Sequence, residues 1–189
     1  MNSDNYFPEF LQFEINGPVW SKSSWVGSLN ALAPFGVVRW FDTYQFGDPI
    51  NFGRKGNYTS YLGTGWGIAE NGFNWTVGKS SSIVLPVNPS AKEALLLEAT
   101  LSPFVLPGKL DRQRLNVFVN GEKVAQWSAE SSTLFRAVIP ARMTAGGSLE
   151  LRFDLPDATS PSSMGINDNL TVLGVQMVTL KVSMNGDAI

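Results

Sequence analysis

The sequence predicts an all-β domain, an antiparallel β-sandwich of the jelly-roll type with little helix. Eighteen glycines and eleven prolines interrupt the 189-residue chain at short intervals. The apolar stretches between them are about 5 to 8 residues long, which is the length of a strand and not of a helix. Several stretches also alternate apolar and polar residues, as at Leu115, Val117 and Val119. This alternation is typical of a sheet that has one buried and one solvated face.

The strands expected from this pattern begin at residue 82. They cover residues 82–87, 94–100, 115–119, 123–127, 133–139, 148–155 and 173–182. Asn120-Gly121 supplies the positive φ angles of a tight two-residue turn, so the strands on either side of it should pair as a hairpin. Residues 103–108, 145–147 and 155–165 are predicted to be turns or loops because Gly, Pro and Ser are concentrated there.

A chain of this length is expected to form one compact domain. The β-sandwich is predicted for residues 50–189. Residues 1–49 are predicted to be an irregular N-terminal arm or additional strands packed on the domain, because their aromatic residues, among them Trp20, Trp25 and Trp40, follow no sustained period.

The composition excludes several classes of function. The chain has no Cys and no His, which removes the commonest transition-metal ligands and the Ser-His and Cys-His mechanisms. The net charge is −2 and no run of Lys or Arg occurs, so nucleic acid is not an expected partner. No segment has the ~20 apolar residues of a membrane span, and residues 1–14 lack an export signal. We therefore expect a soluble protein, and the sequence does not assign its compartment.

The densest group of candidate binding residues lies in the glycine-rich segment 63–76. It contains Trp66, Glu70, Asn74 and Trp75. Indole faces can stack on the C–H faces of sugar rings, and amide and carboxylate groups can pair with sugar hydroxyls. The segment therefore predicts a carbohydrate site, although stacking does not identify the sugar. The alternative, which is the commoner one for Trp in a β-sandwich, is that both indoles fill the core.

The order of these residues also resembles a known type of domain. It is similar to the β-sandwich domains appended to bacterial polysaccharide-related glycosyltransferases, which are regarded as resembling carbohydrate-binding modules. The resemblance covers roughly residues 50–182 and implies a non-catalytic domain that binds an oligo- or polysaccharide, with Glu70 and the surroundings of Trp75 as the shared feature. Asn74 stands where that family often has a basic residue. The matching elements are Gly65-Trp66, Glu70, Asn74-Trp75-Thr76, the strands with Ile83 and Leu85 and with Leu95 and Leu97, residues 117–121, and Trp127.

Two arginines are further candidates for the binding site. Arg112 lies in the polar run 111–114, and a guanidinium can hold sugar hydroxyls or a uronic carboxylate with two parallel hydrogen bonds. A solvated loop is the alternative for this run. Arg136 lies among apolar residues of a predicted strand, so its charge should face solvent, pair with an acid or meet a ligand.

Two other functions stay open at this stage. The aromatic residues in 20–46 could dock on a partner protein or on a second copy of the chain, which would make a homo-oligomer. A glycan hydrolase would need two carboxylates about 5 to 10 Å apart, and no two acidic residues of this sequence stand in a recognisable catalytic context. We therefore expect no catalysis.

No cofactor is expected from the sequence. Asn167-Asp168-Asn169 resembles an oxygen-rich turn that holds a structural calcium ion. One carboxylate is few for an ion that takes about 6 to 8 oxygens, so a turn made by the Asx side chains is the favoured interpretation.

Overall fold

The computed structural model describes residues 43–88 and 93–184, and these residues form two antiparallel sheets that pack face to face. Short 3₁₀ turns lie at Tyr58–Ser60 and Ala141–Thr144. In chain order the strands are β1 (Ile50–Asn51), β2 (Asn74–Val77), β3 (Ser80–Pro86), β4 (Leu95–Pro103), β5 (Gln113–Val119), β6 (Glu122–Ala129), β7 (Thr133–Ile139), β8 (Ser148–Asp154) and β9 (Leu173–Met184).

The order of the strands makes the sandwich a jelly roll. One sheet has the order β2-β9-β4-β7, with β1 also paired to β9, and the other has the order β3-β8-β5-β6. From β2 onward the chain crosses between the sheets at every connection except that between β5 and β6, which are neighbours in one sheet. Eight strands in two such interleaved Greek keys define the jelly-roll architecture. The fold class predicted from the sequence is confirmed.

The seven predicted strands correspond to β3 through β9, with ends that shift by a few residues. The predicted hairpin between β5 and β6 is also confirmed, because Asn120 and Gly121 both have positive φ, at 47° and 83°. β2 is a strand that was not among those predicted, and three of its four residues belong to the glycine-rich segment 63–76. These residues are a strand because β9 supplies their hydrogen-bond partners.

The core fills the space between the two sheets with the apolar residues of alternating strand positions. Leu97, Ala99 and Leu101 of β4 face Leu149 and Leu151 of β8 across this space, and all five are buried. The alternate residues of the same strands point away from the core and are mostly polar. Each sheet therefore has one buried face and one face that is accessible to solvent.

The residues that precede β1 belong to the same core. Tyr44 is buried, its hydroxyl donates to the Asp48 carbonyl at 2.6 Å and it accepts from the Val182 amide at 2.9 Å. Gly47 donates to the Val182 carbonyl at 2.8 Å. These bonds continue the edge of β9 beyond the end of β1. The prediction for residues 1–42 lies outside the described residues, and among those described no helix is long and apolar enough to cross a bilayer.

Tyr44 gives a pH-dependent test of this edge. Burial raises the pKa of Tyr44 from 10.0 to about 12. In the unfolded chain the phenol ionises near pH 10, so the stability from the protonated hydroxyl is complete below that pH and is lost as the pH rises toward 12. We expect Tyr44→Phe to cost about 1–3 kcal/mol at pH 8, because it leaves the Val182 amide without its partner.

The difference between wild type and Tyr44→Phe in urea unfolding should therefore shrink between about pH 10 and pH 11.5. All other side chains are the same in the two proteins, so the comparison isolates the contribution of the Tyr44 hydroxyl. A gap that stays constant over this range would contradict the buried, hydrogen-bonded hydroxyl.

Candidate functional site

Residues 64–77 form a hairpin whose pairing decides the direction of each tryptophan. The Val77 amide donates to the Gly65 carbonyl at 2.7 Å, and the Gly67 amide donates to the Trp75 carbonyl at 3.0 Å. Trp66 therefore lies opposite Thr76. Because neighbouring strand residues point to opposite faces, Trp66 and Thr76 face inward and Trp75 faces away from the core.

Trp66 is a packing residue of the sandwich margin. Its indole nitrogen donates to the Ser82 carbonyl at 2.7 Å, and its ring centroid lies 4.8 Å from that of Phe52. The hydrogen bond uses the only polar atom of the side chain, and the ring packs on Phe52 while remaining partly exposed. Trp66 thus packs against the core and is not enclosed by it.

Trp75 lies at the centre of a half-buried aromatic cluster on the outward face of the five-stranded sheet. The ring centroids of Phe73 and Phe104 are 6.0 and 6.1 Å from that of Trp75, and both rings are nearly perpendicular to the indole, at 86° and 85°. All three side chains are partly exposed. Edge-to-face contacts of this kind are favourable, so the two phenylalanines support the indole from the side.

Polar residues continue the outward face beside this aromatic cluster. Gln176 of β9 is the register partner of Trp75, and Ser102 of β4 is the next residue in the same row. Both are partly exposed. The row therefore combines one large aromatic side chain with a carboxamide and a hydroxyl at spacings of about 5 Å.

Asn74 and Glu70 have very different environments. Asn74 is fully buried, and its amide nitrogen and oxygen have no hydrogen-bond partner among the described residues. Glu70 is exposed in the hairpin turn, where its amide donates to the Phe73 carbonyl at 2.9 Å. The hairpin thus brings Glu70 to the surface near Phe73 and turns Asn74 toward the interior.

The two candidate arginines lie apart from each other. Arg136 is on β7, three strand spacings or about 14 Å from β2 across the sheet, and it pairs with Glu98 at 2.9 Å. Arg112 is exposed in the loop before β5. Its neighbour Gln113 donates to the Phe104 carbonyl at 2.8 Å, which ties this loop to one end of the aromatic cluster.

An open groove of about 670 Å³ adjoins the aromatic cluster along β9. β2 pairs with β9 up to Met177, whereas β1 pairs with Thr179 and Leu180. The β4 register also shifts at this point, so Val178 is an extra residue, as in a β-bulge. The groove lies where one short strand replaces the other, and Val178 and Thr179 form its floor.

The walls of the groove are residues 53–57 and the turn at Asn71-Gly72. These two segments cross closely, since a Cβ built on Gly53 would lie 2.6 Å from the Gly72 amide nitrogen. A Cβ on Gly56 would lie 1.8 Å from the Asn51 carbonyl oxygen. The Asn57 side chain accepts from the Asn51 amide at 2.8 Å and donates to the Pro49 carbonyl at 3.2 Å. These contacts give the groove a fixed shape.

Glu98 and Asp157, two of the carboxylates that pair with cations, are not poised to act as acids. Hydrogen bonds from Lys181 and Arg136 lower the pKa of Glu98, and the hydrogen bond from Arg114 lowers the pKa of Asp157. A glycosidase acid needs the opposite shift, to a raised pKa.

The turn at residues 167–169 uses its amide oxygens internally. The side chain of Asn167 accepts from the Asn169 amide, and that of Asn169 accepts from the Thr171 amide, both at 2.9 Å. These are the bonds of successive Asx turns. Within residues 43–88 and 93–184 no group of three or more acidic side chains could hold a metal ion.

Comparison with known proteins finds similarity among solved structures. No protein-family model matches the chain, and no curated protein matches it. Among solved structures it is similar to a family 35 carbohydrate binding module from an environmental isolate, with 14% identity and a TM-score of 0.37. The similarity covers 72% of this chain and 85% of that chain.

Several residues of the site were not identified from the sequence. Phe73 is two residues from Trp75, so a strand assignment for 73–75 would have placed both on one face. Phe104 and Gln176 reach the site through strand pairing, and no local pattern marks them. Arg54 and Lys55 form too short a basic pair to stand out in a sequence.

Conservative substitution of the two tryptophans should separate their roles. We expect Trp66→Phe to lower the free energy of unfolding by about 1–2 kcal/mol, because the Ser82 carbonyl loses one of its two hydrogen-bond donors, the other being the Gly63 amide, and the smaller ring packs less well against Phe52. Trp75→Phe should cost less than about 1 kcal/mol, because the half-exposed indole donates no such bond. Urea unfolding of both variants measures the difference, and an equal or larger loss for Trp75→Phe would contradict the assignment.

Proposed function

We propose that this protein is a non-catalytic carbohydrate-binding domain that recognises a glycan by stacking on Trp75. The observation that carries the proposal is the half-exposed cluster of Phe73, Trp75 and Phe104 on the outward face of the five-stranded sheet. The flanking polar row and the groove support it, because a sugar needs hydrogen-bond partners beside its stacked face.

The chemistry of the cluster fits a sugar ring. One face of a pyranose presents C–H groups that pack on an indole, while its hydroxyls point outward in the plane of the ring. Gln176 can donate and accept, and the Ser102 hydroxyl can do both as well. A ligand stacked on Trp75 would therefore meet polar groups along the same row.

The support around Trp75 suits a binding surface. The perpendicular rings of Phe73 and Phe104 restrict the indole, and β2 is hydrogen-bonded to β9 behind it. A side chain that is already ordered loses little rotamer entropy when a ligand binds. Because Trp66 supplies the packing inside the hairpin, Trp75 is left available on the outside.

The electrostatics favour binding over hydrolysis. Glu98 and Asp157 are held ionised by adjacent cations, and Asp154 accepts from Ser80 at 2.9 Å and pairs with Arg152 at 3.1 Å. Each of these carboxylates is engaged with a neighbour on the sheet surface. A proton donor for a glycosidic oxygen requires a carboxyl group that stays protonated near neutral pH.

A second candidate function is association between copies of the chain. Among the strands of residues 43–88 and 93–184, β7 is the outer one of its sheet, and its Leu134 and Val138 are 44% and 53% exposed. Apolar side chains on an unpaired edge favour strand addition. Arg136 lies between them and pairs with Glu98, and this charge on the edge opposes strand addition. Elution as a dimer that Val138→Lys converts to a monomer would support association.

Replacement of Trp75 tests the carbohydrate proposal. We expect Trp75→Ala to weaken binding to the best glycan of an array about tenfold or more, which corresponds to about 1.4 kcal/mol, because the stacking surface is removed. Trp75→Phe should retain part of the affinity. Array binding followed by titration calorimetry measures both, after circular dichroism has verified the fold of each variant.

Phe118→Ala is the matched control for this experiment. Phe118 is a partly exposed aromatic residue on the outward face of the other sheet, where the guanidinium of Arg152 lies 4.3 Å from its ring centroid. Its removal should leave glycan affinity unchanged. Loss of binding in Phe118→Ala but not in Trp75→Ala would move the site to the opposite sheet and refute the proposal.

A further inference from the structure

The groove beside the aromatic cluster contains cationic groups that the fold itself does not use. Arg54 and Lys55 are exposed and line the groove, and no carboxylate of the described residues forms an ion pair with either. The backbone amide of Arg54 donates to the Glu70 carbonyl at 2.8 Å, which fixes the start of this basic pair against the hairpin turn.

The other cations of the described chain are mostly engaged. Arg112 is the one other described cation that has neither an ion pair nor a side-chain hydrogen bond. The engaged cations are Lys79, Lys109, Arg114, Lys123, Arg136, Arg142, Arg152 and Lys181. Two adjacent unpaired cations in one concave site are therefore a particular feature of the groove, in a protein whose net charge is −2.

The remaining lining adds neutral donors and no negative charge. The side chain of Asn57 is held by Asn51 and Pro49, whereas the side-chain amides of Asn51 and Asn71 have no hydrogen-bond partner among the described residues. No Asp or Glu lines the groove. A concave surface with two cations and free amide donors attracts an anion and can bind its oxygens.

The groove and the aromatic cluster form one continuous surface. Asn71-Gly72 of the groove wall leads directly into Phe73 of the cluster, and Gln176, the partner of Trp75, precedes Val178 of the floor by two residues. A two-residue step along a strand is about 7 Å, so the groove begins within one strand step of the row that contains Trp75. A chain stacked on Trp75 can thus place its next unit in the groove.

We infer that the glycan is acidic and that Arg54 and Lys55 bind an anionic substituent on the sugar unit next to the one stacked on Trp75. The inference rests on the proposed function and specifies its ligand class. The substituent is a carboxylate, sulfate or phosphate, since each presents the oxygens that a guanidinium and an ammonium group bind.

The test compares glycan classes and charge variants of the full chain. The array contains carboxylate-bearing alginate and hyaluronan oligosaccharides, sulfate-bearing carrageenan oligosaccharides, and neutral mannan, xylan and dextran oligosaccharides. We expect an acidic class to bind best, and Arg54→Gln/Lys55→Gln to weaken that binding about tenfold or more. Raising the salt from about 0.05 M to about 0.5 M should weaken wild-type binding more than binding by the double variant.

Lys123→Gln/Arg142→Gln is the matched control. It removes the same charge from exposed side chains near the β5–β6 hairpin, away from β9. We expect it to keep the wild-type affinity for the acidic glycan. An equal loss in both double variants would mean that only net charge attracts the ligand, and this would overturn the inference.

The remaining outcomes separate the inference from the proposed function. Binding of neutral glycans alone, lost in Trp75→Ala and unchanged in Arg54→Gln/Lys55→Gln, would overturn the acidic ligand and leave the proposed function standing. Absence of binding to every glycan by the folded wild type would overturn both. A preference between the carboxylate and sulfate classes would identify the anionic group.

Discussion

The pairing of β9 with two short strands on one side is the constraint on which the rest of the structure depends. β4 follows β9 along nearly its whole length, whereas the opposite side is shared by β2 and β1. The pairing of β2 with β9 ends at Met177 and that of β1 begins at Thr179. Val178 forms a bulge between the two. The groove and the outward position of Trp75 both follow from this arrangement, because each is fixed by its register on β9.

The sequence predicts most of the sandwich for a physical reason. β5 and β8 alternate apolar and polar residues, so one face must be buried, and Asn120-Gly121 fits the backbone of only a few turns. β2 carries no such signal. β2 has only four residues, and Gly72 and Gly78 lie close to its ends in the sequence. Asn74 also occupies an inward position, where an alternating pattern would have an apolar side chain. β2 is a strand because of its partner, and the partner is 99 residues away in the pair formed by Thr76 and Val175.

The site shows the same division between local and distant information. Residue types in 63–76 point to a surface rich in Trp and amides, but they do not decide which indole faces outward. That depends on the hairpin register, in which Trp66 opposes Thr76, and a shift of one residue would place both tryptophans on the same face. For Arg136, by contrast, local sequence was enough to anticipate the environment. A charge among the apolar residues of a predicted strand is expected to pair, face solvent or meet a ligand, and Arg136 pairs with Glu98.

The distribution of charge gives two neighbouring parts of β9 different physical properties. Arg136, Glu98 and Lys181 form a row across β7, β4 and β9 in which the cations already have their carboxylate. An ionic ligand at that row would have to compete with these ion pairs and would gain little. At the groove, beside Val178 and Thr179 in the middle of β9, Arg54 and Lys55 are exposed cations next to amides that have no partner among the described residues, so an anion there displaces water and breaks no ion pair of the described chain. The same strand therefore carries ion pairs that stabilise the sheet at Lys181 and unpaired cations close to Thr179 whose favourable interactions remain for a ligand.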